Sequence, residues 1–317
     1  MIPDQITLGS TEITLSPLGV GAWAWGDRFF WGYGREYGLQ DAVAAFEASL
    51  EAGIQLIDTA EVYGMGASER LTGQFIRQSC KNVVLATKFF PYPWRFNRSQ
   101  LIGALRGSLK RLGVQQVDLY QIHVPNSLAP LETWANALAD AVLRGLTRAV
   151  GVSNYNQEQM LRTQTVLLKR GVTLASNQVI YSLLDRDVEK NGLLEACRQN
   201  NITLIAYSPL AQGLLTGKYG PNHPPGGVRG RKFSSRWLNR LPPLIRLLRE
   251  IGHARGDKTP SQVALNWVMS KGAVPIPGAK NYRQAQENAG ALGWSLSQDE
   301  IDALDAATTN LNERKES

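Results

Sequence analysis

The chain has 317 residues, 43% hydrophobic and 19% charged, with a formal net charge of +7 and a pI near 9.4. That composition suits a large core, contains no apolar run long enough to span a bilayer, and has only two well-separated cysteines, Cys80 and Cys197, which argues against a disulfide framework or a zinc site. The positive charge suits an anionic ligand, but the basic residues are scattered, and neither a basic helix nor an aromatic sheet platform supports a nucleic-acid binder. The opening residues, MIPDQITLGS, lack a basic segment followed by an apolar one, so a cytoplasmic protein is expected.

In chain order, QITLGSTEITLS (residues 5–16) alternates around Gly9-Ser10 and predicts a β-hairpin. Strand-like and helix-like runs then alternate. LGVGAW (18–23) precedes a helix over 41–53, QLIDTA (55–60) one over 67–78, and NVVLATK (82–88) one over 99–113. VDLYQIH (117–123) precedes 131–146, TRAVGVSN (147–154) precedes 156–171, and TLASNQVIYS (173–182) precedes 192–201. ITLIAYSP (202–209) leads into a long irregular segment and two helices, and AVPIPGA (273–279) into a helix over 281–293. The helical runs carry apolar residues at three- and four-residue spacing. The strands are nearly continuous apolar runs, as in a parallel sheet covered on both faces. About eight such units predict an α/β fold, a (β/α)8 TIM barrel over residues 1–317 as one domain, with the hairpin covering its bottom. Residues 211–242, rich in Gly, Pro and Arg, are too long for an ordinary connection.

GVGAWA (19–24) matches the glycine fingerprint of dinucleotide-binding folds, which requires a helix to start at the glycines. The next residues, WGDRFFWGYGREYG, carry too many glycines for a helix, so the match is rejected.

In a barrel of this kind, chemistry gathers at the C-terminal ends of the strands. Those ends carry Asp58, with Tyr63 just beyond, then Lys88 in ATKF and His123 in LYQIH. Singly, each has a bland structural reading. Together, three adjacent strands bring an acid, a phenol, an ammonium and an imidazole to one rim. A free tyrosine has a pKa of about 10. Lys88, held by Asp58, would lower it and make Tyr63 a usable general acid, while His123 orients a substrate carbonyl. The set has no nucleophile, metal cluster or carboxylate pair, so a nicotinamide must supply a hydride.

With these residues in place, the sequence resembles the aldo-keto reductases from about residue 6 to 305. Asp58, Tyr63, Lys88 and His123 match that family's tetrad in order and context. The resemblance implies NADPH as cofactor. Its nicotinamide carboxamide would meet Ser153, Asn154 and Gln178, from GVSNY and SNQVIYS, and Tyr207 would stack on the ring. AYSPLAQGLLTGK (206–218) would line the pyrophosphate through Ser208, Pro209, Leu210, Gln212, Gly213 and Lys218. PIPGAKNYRQAQEN (275–288) would hold the adenosine phosphate through Ile276, Gly278, Ala279, Lys280, Gln284, Glu287 and Asn288, with Arg283 in reach of the same phosphate. Strand one would add Gly21, Ala22 and Trp23, although many members have Gly-Thr-Trp there. An arm closing over the cofactor offers Arg229 or Arg231, and spacing does not choose between them. Within the family, TAEVYG, PWRF, GVSNYN, LASNQVIYSL and PIPGAKN are similar to plant-plastid and cyanobacterial members, including pyridoxal-reductase-like ones.

Aromatic residues crowd the loops after strands one and three, and Trp25, Trp31 and Trp94 are the expected substrate contacts. The reading is an NADPH-dependent reductase of aldehydes or ketones. The alternative is a non-enzymatic NADPH-binding regulatory subunit resembling potassium-channel β-subunits. The expected partner is a small carbonyl compound, with no nucleic acid, membrane or metal; the oligomeric state is open, with a monomer preferred.

Overall fold

The computed structural model describes residues 1–79, 81–125, 128–220, 222–226 and 238–312. Two short strands, β1 (Ile6–Thr7) and β2 (Thr14–Leu15), pair antiparallel. Eight parallel strands follow in one sheet whose spatial order is the chain order. They are β3 (Gly19–Gly21), β4 (Leu56–Asp58), β5 (Val84–Phe89), β6 (Val117–Ile122), β7 (Thr147–Ser153), β8 (Leu174–Ile180), β9 (Thr203–Tyr207) and β10 (Val274–Pro275). Between them lie the helices α1 (Leu39–Glu51), α2 (Ala67–Ser79), α3 (Arg98–Leu112), α4 (Leu131–Leu143) and α5 (Gln157–Leu168). Then come α6 (Asp187–Lys190), α7 (Leu193–Gln199), α8 (Pro242–Ala254), α9 (Pro260–Ser270), α10 (Tyr282–Ala289) and α11 (Gln298–Asn312).

The sheet closes on itself. β10 is shorter than its apolar run because Pro275 and Pro277 have no N–H to give a ladder. The chain uses what remains: Ile276 N donates to Ala206 O at 2.9 Å, and Gly21 N to Pro277 O at 3.1 Å. Gly21 and Gly278 bridge in parallel, which joins the first barrel strand to the last. The expected (β/α)8 barrel is therefore present. The glycines of GVGAWA lie in a strand, a single 3-10 turn follows at Ala22–Ala24, and no α-helix begins before Leu39.

The hairpin sits at the barrel bottom, as expected. Leu8, Ile13 and Leu15 pack with the inward residues Leu56, Ala86, Leu119, Ala149, Ala175 and Ile205. Its turn is longer than the Gly9-Ser10 pair, since Leu8 N bonds Ile13 O, and Leu8 and Ile13 are both inserted into the barrel floor. Gly9 has a φ of 56°, and a Cβ there would lie 2.6 Å from Ala175 O. The terminal helix α11 lies beyond the predicted elements. Asp305 anchors it, accepting from Trp267 Nε1 at 2.9 Å and pairing with Lys271 at 2.5 Å.

Helix packing is close enough for one carbon to matter. A Cβ on Gly73 of α2 would lie 2.1 Å from the carbonyl oxygen of Leu112, the last residue of α3. Gly73→Ala is expected to destabilise the protein by about 1–3 kcal/mol, the range for overpacking. Gly103→Ala, on the open face of α3 with nothing within 4 Å, is expected to stabilise it by about 0.5–1 kcal/mol through helix propensity. Urea unfolding of the two variants checks the opposite signs.

Candidate active site

Asp58 ends β4 and Lys88 lies in β5, both buried, at 2% and 0% exposure. The Lys88 ammonium has three N–H groups and three acceptors. It donates to Asp58 Oδ2, to Thr59 O at 3.0 Å and to the Tyr63 hydroxyl at 3.3 Å. The other carboxylate oxygen of Asp58 accepts from Gln121 Nε2 at 3.1 Å and Gln178 Nε2 at 2.9 Å. Burial alone would lower the pKa of Lys88, but Asp58 and Tyr63 outweigh it, so the pKa is raised and the ammonium stays charged.

Tyr63 opens a tight turn after β4 that passes through left-handed backbone at Gly64 and Met65. Because its oxygen accepts from Lys88, its own O–H is left to donate elsewhere. Its pKa departs from the expected lowering. Burial raises it, Lys88 pulls it down, Asp58 pushes it up again, and the net direction is upward. Lost hydration outweighs the nearby cation, whose charge Asp58 already offsets. His123 follows β6, edge-on to Tyr63 with ring centroids 5.7 Å apart. Burial, helped by Lys88, pushes its pKa down to about 3, so the imidazole is neutral near pH 7. Its Nδ1 is buried with no hydrogen-bond partner among the described residues.

Asp58, Tyr63 and His123 line one end of a cavity of about 810 Å³, and Lys88 lies buried behind them, reaching it through the Tyr63 hydroxyl. Gly21 and Trp23 border it, as do Ser153, Asn154, Gln178 and Tyr207. Gln178 has its amide nitrogen committed to Asp58, so it offers a ligand its carbonyl oxygen. Asn154, in left-handed backbone, is engaged at both ends of its amide: Nδ2 donates to His123 O and Ser153 Oγ, and Oδ1 accepts from Tyr207. Ser208, Pro209, Leu210, Gln212, Gly213 and Lys218 form the next stretch of wall. Here φ is positive at Ser208, Ala211, Gln212 and Gly213, and Gln212 Oε1 is buried without a partner among the described residues. Strained backbone of this kind can turn successive N–H groups toward an anion. At the far end Ile276, Gly278, Lys280, Gln284, Glu287 and Asn288 complete the cavity. Glu287 there accepts from Ser261 Oγ at 2.8 Å, and Ser261 is a wall residue that the sequence did not point to.

Several expectations are corrected. Ala22 is buried behind the wall, its carbonyl taken by Ser68 Oγ, and Ala279 is buried with its carbonyl taken by Trp25 Nε1. Trp25 is accordingly a core residue, packed on Phe46 and Phe75, rather than a substrate contact. Trp94 is 64% exposed, stacked on Tyr92, and outside the cavity lining. Arg283 is exposed and outside it too. Arg229 and Arg231 lie outside the described residues. Trp31 does line the cavity. Trp23 stacks between Phe30 and Tyr63, at 4.9 and 5.8 Å, and forms an aromatic wall beside the phenol. Phe90, edge-on to His123 at 5.6 Å, was missed, as was Gln121 beneath Asp58. Gln121 could have been found as a polar residue near the C-terminal end of the strand VDLYQI, two positions before His123.

A family model of the aldo/keto reductase family matches residues 17–309. The chain belongs to this family. It is 45% identical over 303 residues to the chloroplastic pyridoxal reductase of Arabidopsis thaliana, covering 91% of this chain and 82% of that one. It is 31% identical over 306 residues to an L-glyceraldehyde 3-phosphate reductase of Escherichia coli, covering 90% and 86%. Among solved structures, the glycerol dehydrogenase of Gluconobacter oxydans superposes with a TM-score of 0.87 at 29% identity, covering 98% of this chain and 96% of that one. An aldo/keto reductase from Klebsiella pneumoniae in complex with NADP and acetate has a TM-score of 0.76 at 29% identity, covering 96% and 95%. The protein is thus an oxidoreductase of a family with NADP-bound structures. Among the described residues, no helix is long and apolar enough to cross a membrane.

The neutral His123 has a stability consequence. Its folded-state pKa lies below the ordinary 6.5. Between the two values the unfolded chain binds a proton that the folded chain does not, so stability falls as pH drops through that window. His123→Gln removes this contribution. Between pH 7 and 4.5 the wild type is expected to lose about 2 kcal/mol more than the variant, read from urea unfolding at both pH values.

Proposed function

We propose that this protein is an NADPH-dependent reductase of aldehydes and ketones, acting as one barrel domain in the cytoplasm. The observation that carries the reading is the Lys88–Tyr63 hydrogen bond, which fixes the tyrosine as acceptor from lysine and leaves its proton for a ligand. The cavity suits the dinucleotide. It runs from the tetrad to the start of α10, its middle wall has strained backbone and the unpartnered Gln212 oxygen, and its far end carries Lys280. Ser153 and Gln178 would hold the nicotinamide amide, Tyr207 its ring, residues 208–218 the pyrophosphate, and Lys280, Gln284 and Asn288 the adenosine end. When bound, NADPH supplies the hydride.

The chain's own residues do the rest. Neutral His123 donates a hydrogen bond that orients the substrate carbonyl. Tyr63 gives its proton to the carbonyl oxygen and becomes a phenolate, which Lys88 stabilises through the bond already in place. Asp58 keeps Lys88 charged and aimed. Trp23, Trp31 and Phe90 suit flat substrates, and the Arabidopsis relative makes pyridoxal the first aldehyde to test.

NADPH oxidation against a panel of aldehydes, pyridoxal included, tests the activity. NADPH binding without turnover of any aldehyde would favour the regulatory-subunit alternative. Tyr63→Phe keeps the ring and removes the proton; kcat is expected to fall ~10²-fold or more, with NADPH affinity nearly unchanged. A near-normal kcat would assign the proton to another group.

Cofactor preference follows from charge. NADPH carries a 2′-phosphate that NADH lacks, and a charge-assisted hydrogen bond contributes ~1.5–3 kcal/mol, or about tenfold in affinity per 1.4 kcal/mol. NADPH is expected to bind at least ~10-fold more tightly than NADH, and Lys280→Met to remove most of that difference. Methionine keeps an unbranched side chain of nearly the same length and removes the charge. Tryptophan fluorescence titration with both cofactors reads the result.

A further inference from the structure

We propose that Glu36 is a built-in competitor for the 2′-phosphate of NADPH at Lys280, and so sets how strongly the protein prefers NADPH over NADH. The inference rests on the cofactor reading above. The Lys280 ammonium donates to Trp31 O at 2.7 Å and to Glu36 Oε2 at 3.0 Å. It also lies 4.6 Å from the Tyr37 ring centroid and 5.5 Å from that of Trp31. Glu36 and Lys280 both line the cavity, so the pair faces the space assigned to the cofactor.

The contacts on Lys280 differ in kind. The Trp31 carbonyl and the two rings are neutral, and they tolerate a phosphate on the same ammonium. An ammonium has three donor hydrogens, so geometry admits a further acceptor. Glu36 is an anion. A carboxylate and a phosphate sharing one cation repel each other, and one of them must give way. Glu36 is the partner that can leave, because its side chain is 65% exposed and rehydrates on departure, whereas that of Lys280 is 17% exposed. It is also seated rather than loosely adjacent. Its backbone N donates to Gly32 O at 2.9 Å, and its carboxylate packs over Gly32, where a Cβ would come within 2.9 Å of Cδ. NADPH binding therefore breaks an ion pair that NADH binding leaves intact. Part of the attraction of Lys280 for the phosphate is offset before the cofactor arrives.

The test is calorimetric titration of wild type and Glu36→Gln with NADPH, NADH, adenosine 2′,5′-bisphosphate and AMP. Glu36→Gln is expected to tighten NADPH and the bisphosphate about threefold to tenfold, and to move NADH and AMP less than about twofold. In a Lys280→Met background the same change should have less than half its effect. Unchanged NADPH affinity in Glu36→Gln, with the wild type still preferring NADPH, overturns the inference alone. Weaker NADPH binding also overturns it, since Glu36 would then serve to hold Lys280 in place. A wild type with no preference for NADPH overturns the cofactor reading beneath it.

Discussion

The site depends on one buried ion pair, Asp58 with Lys88. Two charges withdrawn from water are worth keeping only if every remaining donor and acceptor is matched. Here they are: three acceptors surround the ammonium, and two amide donors complete the carboxylate. Those partners come from β4, β5, β6 and β8 and from the turn that carries Tyr63. The barrel must therefore close in the right register for the pair to exist, since Asp58 lies beside Ala86, and Lys88 beside Gln121. An apolar pair of similar size could be as stable. The hydrogen bond to Tyr63 is what the apolar pair could not supply.

The same loss of hydration sets the protonation of the whole rim. It raises Tyr63 and lowers His123, so both are neutral near pH 7. A neutral phenol keeps a proton that it can donate, and a neutral imidazole can donate a hydrogen bond without bringing a charge. Among the described residues, Lys88 is then the cation that contacts the phenol. Its effect is felt most when Tyr63 carries negative charge, after the proton has left. Stabilisation that grows with the developing charge lowers a barrier, whereas equal stabilisation of both states does not.

Much of this was legible in the sequence, for definite reasons. The strands are buried on both faces, so they read as apolar runs, and the polar residues that end them stand out: Asp58, Lys88 and His123 were visible that way. The closing strand was over-extended because periodicity does not register that Pro275 and Pro277 cannot donate. Helix α11 was missed although Ser297 and Glu300 cap it reciprocally, at 2.7 and 3.3 Å. Side-chain direction was the least legible. Trp23 and Trp25 are two residues apart in a tight turn, and one faces Tyr63 while the other enters the core. Trp94 belongs to an aromatic-rich loop, but its partner is Tyr92, and a flat stack on the outside satisfies both rings. No spacing rule separates a ring that lines a cavity from one that covers a loop.

Lys280 joins the two ends of the cavity. It starts the segment that leads into α10, yet its ammonium holds the carbonyl of Trp31, in the loop after β3. That loop is organised by Asp27, whose carboxylate accepts from the backbone N–H groups of Phe30 and Trp31 and from the Trp23 indole. Trp23 in turn stacks on Tyr63. A continuous set of contacts thus runs from Lys280 to the wall beside Tyr63. Contiguity alone is not coupling. What gives this set a physical handle is that Lys280 also pairs with Glu36, an exposed contact between two opposite charges, whereas each of the other contacts has at least one neutral partner. A ligand anion acts on the ionic link first, and the tether to Trp31 is the next contact to feel any movement of the ammonium.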